Sequence, residues 1–175
     1  MTAQNAAPLT PVASVPDVIG RIGAAGRPGE GLKVQLIAKS PDTKVARELL
    51  ARLPEFEAQG VGFEAIFTRL AGTDVLAAVA EVYGAETARR SVRVVNVPEQ
   101  GEIVEQVNFG AVAVWTGKPL KAWTSASFAD GQLSEAGQGS DLAKLSATAF
   151  RALWNVAEAP ANDAEPAAPL QVTRA

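Results

Sequence analysis

Between residues 105 and 128 the chain reads EQVNFGAVAVWTGKPLKAWTSASF. Gln106, Asn108, Ser125 and Ser127 are the side chains here whose types and spacing invite a chemical role, because they stand at the mouth of what reads as a core hairpin. Amides and hydroxyls hold ligands by hydrogen bonds, and a serine attacks only when a base activates it. The chain contains no histidine and no cysteine. That excludes Ser–His and Cys–His catalysis, disulfides and every His- or Cys-ligated metal site within these residues.

Other groups carry less. Arg89, Arg90 and Arg93 form a basic cluster suited to a phosphate or an acidic partner, although cations at a helix C-terminus serve the same pattern. Glu99, Glu102 and Glu105 lack the spacing of a cation-binding loop and read as a solvated connection. GAAGRPGEG, residues 23–31, follows a helix and precedes a strand, the reverse of a phosphate-binding loop, and reads as a connection. Trp115 and Trp123 flank the expected hairpin turn, and with Trp154 they read as core residues. No metal site and no cofactor is expected.

These groups need elements to position them, and the composition provides for one domain. Of 175 residues, 47% are apolar and 20% charged, enough for a sizeable core. The net charge of −3 disfavours nucleic acid as a partner. No apolar run is long enough to span a membrane, and MTAQNAAPLTPVASVP lacks the basic start and apolar run of a signal peptide, so a cytoplasmic protein is expected. Residues 1–13 read as a flexible arm and 159–175 as a disordered Ala/Pro-rich tail, leaving a single α/β domain over 14–158.

Within that domain helix and strand patterns alternate. Val15, Val18, Ile19 and Ile22 mark a short helix, and LKVQLIA, 32–38, a strand buried on both faces. Ser40 and Pro41 suit the start of a helix carrying Val45, Leu49, Leu50 and Leu53. VGFEAIF, 61–67, is a second strand, 73–84 a helix ending at Gly84, and SVRVVNV, 91–97, a third strand. Two strands follow near 107–116 and 120–126, with the turn at Gly117-Lys118. The last helix spans 141–157, capped by Ser140, with Leu142, Leu145, Ala149, Leu153 and Val156 on one face. Strands separated by helices predict parallel pairing. The fold expected is α/β, a mixed, mostly parallel sheet with helices on both faces and a C-terminal antiparallel hairpin followed by a helix.

The second half of this order resembles the phospholipase D-like fold, most closely over 91–158 and more loosely over 32–158. Members carry H-x-K-x-x-x-x-D on a strand, a return strand ending in G-S-x-N, and a last helix with an F-x-x-x-W pattern. The corresponding residues here are Gln106-x-Asn108-x-x-x-x-Ala113, Thr124-Ser125-Ala126-Ser127-Phe128, and Phe150 with Trp154 in FRALWNVAE. In active members two such motifs meet, within one chain or across a dimer. One histidine attacks phosphorus, the other protonates the leaving group, and the lysines bind phosphate. The resemblance therefore implies a bacterial-type domain whose catalytic motif is lost, with Gln106 where the nucleophile stood. It implies a non-catalytic interaction or regulatory protein, with a protein partner or a homodimer, and a vestigial cleft at Gln106, Asn108, Ser125 and Ser127. The alternative is a ligand- or phosphate-binding protein, or an enzyme of another α/β family, using Ser40, Asp42, Thr68, Arg69 and Glu99 in loops at the C-terminal strand ends.

Overall fold

The computed structural model describes residues 17–21, 32–70, 72–96, 102–110, 112–136 and 140–160. The arm expected over 1–13, the glycine-rich connection 23–31, Glu99 and the tail beyond Pro160 lie outside the described residues. Six strands form one sheet: β1 (Lys33–Ala38), β2 (Gly62–Phe67), β3 (Val92–Val94), β4 (Val104–Phe109), β5 (Ala113–Pro119) and β6 (Gln132–Glu135). Their order is β3-β2-β1-β4-β5-β6. β1 pairs with β2 and β2 with β3 in parallel, across helical crossovers. β1–β4, β4–β5 and β5–β6 are antiparallel. The chain is thus the α/β protein its pattern predicts, with a mixed sheet that ends in antiparallel strands and a helix, but three of its five pairings are antiparallel where the alternation of strands and helices predicts mostly parallel ones.

Strand alternation sorts the side chains onto two faces. Val34, Leu36 and Ala38 of β1 align with Phe63, Ala65 and Phe67 of β2 and with Val107 and Phe109 of β4. This face is covered by α1 (described over 17–21), α2 (Lys44–Ala51), α3 (Leu53–Ala58), α4 (Val75–Tyr83) and α5 (Ala85–Ser91), which contribute Val18, Leu49, Phe56, Val79 and Ala88 to the main core. The other face carries Ile37 and Ile66, which pack with Phe150 of α6 (Asp141–Val156) in a second, smaller core.

Local chemistry sets the boundaries, sometimes away from where the pattern puts them. α2 is capped by Thr43, whose hydroxyl accepts from Ala46 N at 3.3 Å, rather than by Ser40. Asp74 caps α4 through Ala77 N at 3.0 Å, and Gly84, at a φ of 87°, ends it. Ser140 caps α6 as expected, accepting from Ala143 N at 3.2 Å.

Three differences matter for the site. The hairpin turns between Phe109 and Ala113, which are paired, and not at Gly117-Lys118. Gly110 takes the left-handed conformation that this turn needs, at a φ of 55°. Gly117 lies inside β5, where the Trp115 ring occupies the space a Cβ would need. A short polar strand, QLSE, forms β6 beside β5 where the pattern marks no element. And α6 turns its apolar stripe outward: Leu142, Leu145, Ala149 and Val156 are exposed, while Ser146 and Phe150 are buried against the sheet.

Candidate functional site

The polar residues of three central strands meet beneath α6. Gln35, Glu64 and Asn108 lie side by side because β1 aligns Gln35 with Glu64 on one flank and with Asn108 on the other. Gln106, two residues before Asn108, faces the same way. Their side chains form one relay across the sheet. Gln106 Nε2 donates to Asn108 Oδ1 at 2.7 Å, Asn108 Nδ2 donates to Gln35 Oε1 at 3.4 Å, and Gln35 Nε2 donates to Glu64 Oε2 at 2.8 Å. The Glu64 carboxylate is buried and is also met by Lys33, and by Arg151 of α6 at 3.5 Å. Two cations and an amide thus compensate a carboxylate that could not stay charged in a dry interior alone.

The same relay holds the helix. Both Gln106 Nε2 and Asn108 Nδ2 donate to the backbone carbonyl of Ser146, at 3.4 and 3.3 Å. With Asn108 Oδ1 and the Ser146 carbonyl both acceptors, the Gln106 amide is fixed in one orientation. Its carbonyl oxygen is left with no partner among the described residues. Gln106 lines a groove of about 380 Å³ between α6 and the start of β4, with Ile37, Ile103, Val104, Ala149 and Leu153 among its walls and Glu102 at its edge. An amide oxygen so oriented can accept a hydrogen bond from a donor. It neither attacks nor transfers a proton near neutral pH.

Ser125 and Ser127 are not part of this relay. Ala126, between them, packs in the main core on the opposite side of the sheet, and its N–H donates to Glu105 Oε2 at 2.8 Å. Ser127 is the cap of a short 3₁₀ turn, its hydroxyl donating to Asp130 at 2.7 Å. The Asp130 carboxyl is held below its usual value by that hydroxyl and by the Ser127 N–H. Glu105 is not a solvated loop residue as its spacing suggests. It lies within β4, almost fully buried, and its second oxygen has no hydrogen bond.

The three arginines separate. Arg93 lies over the Trp154 ring at 5.0 Å and donates to the Arg89 carbonyl at 3.1 Å, while Arg90 pairs with Glu86 on α5. Arg89 lines a second cavity, of about 500 Å³, with Thr73, Asp74 and a wall of α4 and α5 alanines. At the strand ends Thr68 donates to the Lys39 carbonyl at 2.9 Å, and Asp42 accepts from Thr73 N and Oγ1 at 3.1 and 2.6 Å. Those two bonds hold the Asp42 carboxyl below its usual value. Ser40 is buried and Arg69 exposed beside them. Of the tryptophans, Trp115 is fully buried and edge-on to Phe128, and Trp154 stacks on Phe150, but Trp123 is fully exposed.

Gln35, Glu64, Lys33 and Arg151 escape a reading that looks for motifs. Their one signal is the polar position inside an apolar strand, Gln35 in KVQLIA and Glu64 in GFEAIF. Among the described residues no three acidic side chains converge on a metal position, and no helix is long and apolar enough to cross a membrane.

No family model matches the chain, and no curated protein matches it. Among solved structures, the crystal structure of a phospholipase D family member, Nuc from Salmonella typhimurium, is similar, with a TM-score of 0.46 and 16% identity, covering 82% of this chain and 88% of that one. At that identity and score the likeness assigns no residue a role.

Proposed function

We propose that this chain acts by binding a protein and not by catalysis, as a phospholipase D-like domain without its active site. What carries this reading is the use made of Gln106 and Asn108. The Gln106 donor is committed to Asn108 and the Ser146 carbonyl, and the Asn108 donor to Gln35 and the same carbonyl, so the positions that would hold nucleophile and phosphate ligand fix α6 to the sheet instead. The chemistry agrees, since neither amide titrates or attacks at neutral pH. A binding role draws support from the outward apolar residues of α6 and from Trp123, all exposed. The test is phosphodiesterase assay of the purified chain on an activated phosphodiester such as bis(p-nitrophenyl) phosphate. Hydrolysis no faster than buffer is expected, and turnover lost on Gln106→Ala would overturn the reading.

One observation favours a second reading, an anion-binding role. The Arg89 side chain has no carboxylate partner among the described residues and borders the 500 Å³ cavity beside Thr73. A rise in melting temperature with inorganic phosphate, abolished by Arg89→Ala, would favour it.

A further inference from the structure

Two features near one end of the sheet lack a partner among the described residues. One is Trp123, fully exposed in the loop after β5. The other is the apolar groove between α6 and the start of β4. They are neighbours. Leu120, three residues before Trp123, donates its N–H to the carbonyl of Ile103, a groove residue, at 2.8 Å. Leu120 also packs in the cluster that contains Ile37, Ile103 and Leu153.

The loop is nevertheless tied so that Trp123 stays out of its own groove. The Ala122 carbonyl accepts from Lys39 Nζ, Thr124 accepts from Lys118 at 3.0 Å, and Ala126 is drawn to Glu105 on the far side of the sheet. We propose that the groove receives Trp123 from a second copy of this chain, each protomer supplying the ring and the groove to the other. The inference rests on the binding reading above and deepens it by naming the partner.

The fit is chemical as well as spatial. The groove, at about 380 Å³, is near the small end of ligand pockets, which span roughly 300–1,000 Å³. Its walls are aliphatic, and its one buried polar side chain, Gln106, has a carbonyl oxygen with no partner among the described residues, in an amide held in one orientation by the relay. An indole is the matching side chain, a large apolar body with one N–H that donates and cannot accept. Because ring and groove belong to the same chain, a two-fold axis satisfies both at once, as a closed dimer requires. The surface continues beyond the ring. The α6 wall of the groove, Ala149, Ala152 and Val156, runs on to Leu145 and Leu142, all exposed.

The experiment is sedimentation equilibrium of the full chain from low micromolar to near-millimolar concentration, with tryptophan emission followed in parallel. A dimer is expected whose formation shifts emission to the blue. Trp123→Ala should weaken it roughly 100-fold or more, because two anchors are lost per dimer. Trp123→Phe, which keeps the ring area and loses the N–H, should weaken it by roughly tenfold. Ala149→Leu fills the groove from the exposed side of α6 with a good helix former, and should weaken the dimer as Trp123→Ala does while leaving the melting temperature unchanged at concentrations low enough for both chains to be monomeric. A wild-type chain that stays monomeric throughout, or a dimer indifferent to Trp123→Ala and Ala149→Leu, overturns the exchange and leaves the binding reading intact. Phosphodiesterase turnover would overturn the binding reading itself.

Discussion

Gln106 donates its side-chain amide to Asn108, two residues along the same strand, at 2.7 Å. Both residues are buried, and both reach the Ser146 carbonyl of α6. The pair is the hinge of a relay that ends at Glu64.

Asn108 is the member with most to lose. Its amide accepts from Gln106 and donates to Gln35 and Ser146. Asn108→Ala strands a buried donor on one side and a buried acceptor on the other, each costing ~1–3 kcal/mol when left unmade. Urea denaturation should show stability lower by ~2 kcal/mol or more. Combined with Gln106→Ala, the two losses should fall short of additivity by ~0.5–3 kcal/mol. A fully additive pair would mean that the 2.7 Å contact contributes nothing.

Tyr83 is the only tyrosine in the chain, so its ionisation can be followed by itself in the ultraviolet. Its hydroxyl donates to the Val61 carbonyl at 2.7 Å. Partial burial, and then the nearby Glu57, push its pKa up from 10.0 to about 12. The sign follows from linkage. The unfolded chain loses the proton at lower pH than the folded one, so this contribution is intact below pH 10.0 and is lost as pH rises toward 12. Difference absorbance should give a midpoint near 12 for the native protein. Tyr83→Phe should flatten the fall in stability across that window; an unchanged slope would assign it to other groups.

Trp115 is clasped between two glycines. At both Gly117 and Gly131 an added Cβ would collide with its ring, whose Nε1 donates to the Phe128 carbonyl at 3.2 Å. Neither glycine has a positive φ, so steric overlap alone is at stake. Gly131→Ala should lower stability by ~1–3 kcal/mol, the usual cost of overfilling a packed core. Restoration of stability by a smaller ring in Gly131→Ala/Trp115→Phe would locate the conflict at that contact. No loss in the single variant would mean the ring has room to shift.

Much of the fold was legible because period and punctuation agree. The alternation in LKVQLIA and VGFEAIF, and Ser140 before the last helix, give β1, β2 and α6 nearly to the residue. The hairpin was misplaced because two glycines compete as turn residues. Gly110 turns the chain and Gly117 makes room for an aromatic ring, and only packing separates these uses. The outward stripe of α6 was illegible for a related reason. Helical periodicity identifies an apolar face but not what covers it, and here the sheet takes Ser146 and Phe150 instead. At the site, the contact between Gln106 and Asn108 lay within reach of the spacing. The register that brings Gln35 and Glu64 to them is a property of pairing between distant segments, which neither segment reveals.

After α6 the chain doubles back, and Glu158 exchanges two backbone hydrogen bonds, each 2.8 Å, with Val94 of β3. β3 is the outermost strand on that side of the sheet. An outer strand otherwise presents unpaired amides as a template for any extended segment it meets. By laying its own backbone there, the chain guards that flank against runaway, fibre-like stacking. A truncation ending at Val156 would remove the guard, and its first symptom would be loss of solubility, with the core still intact.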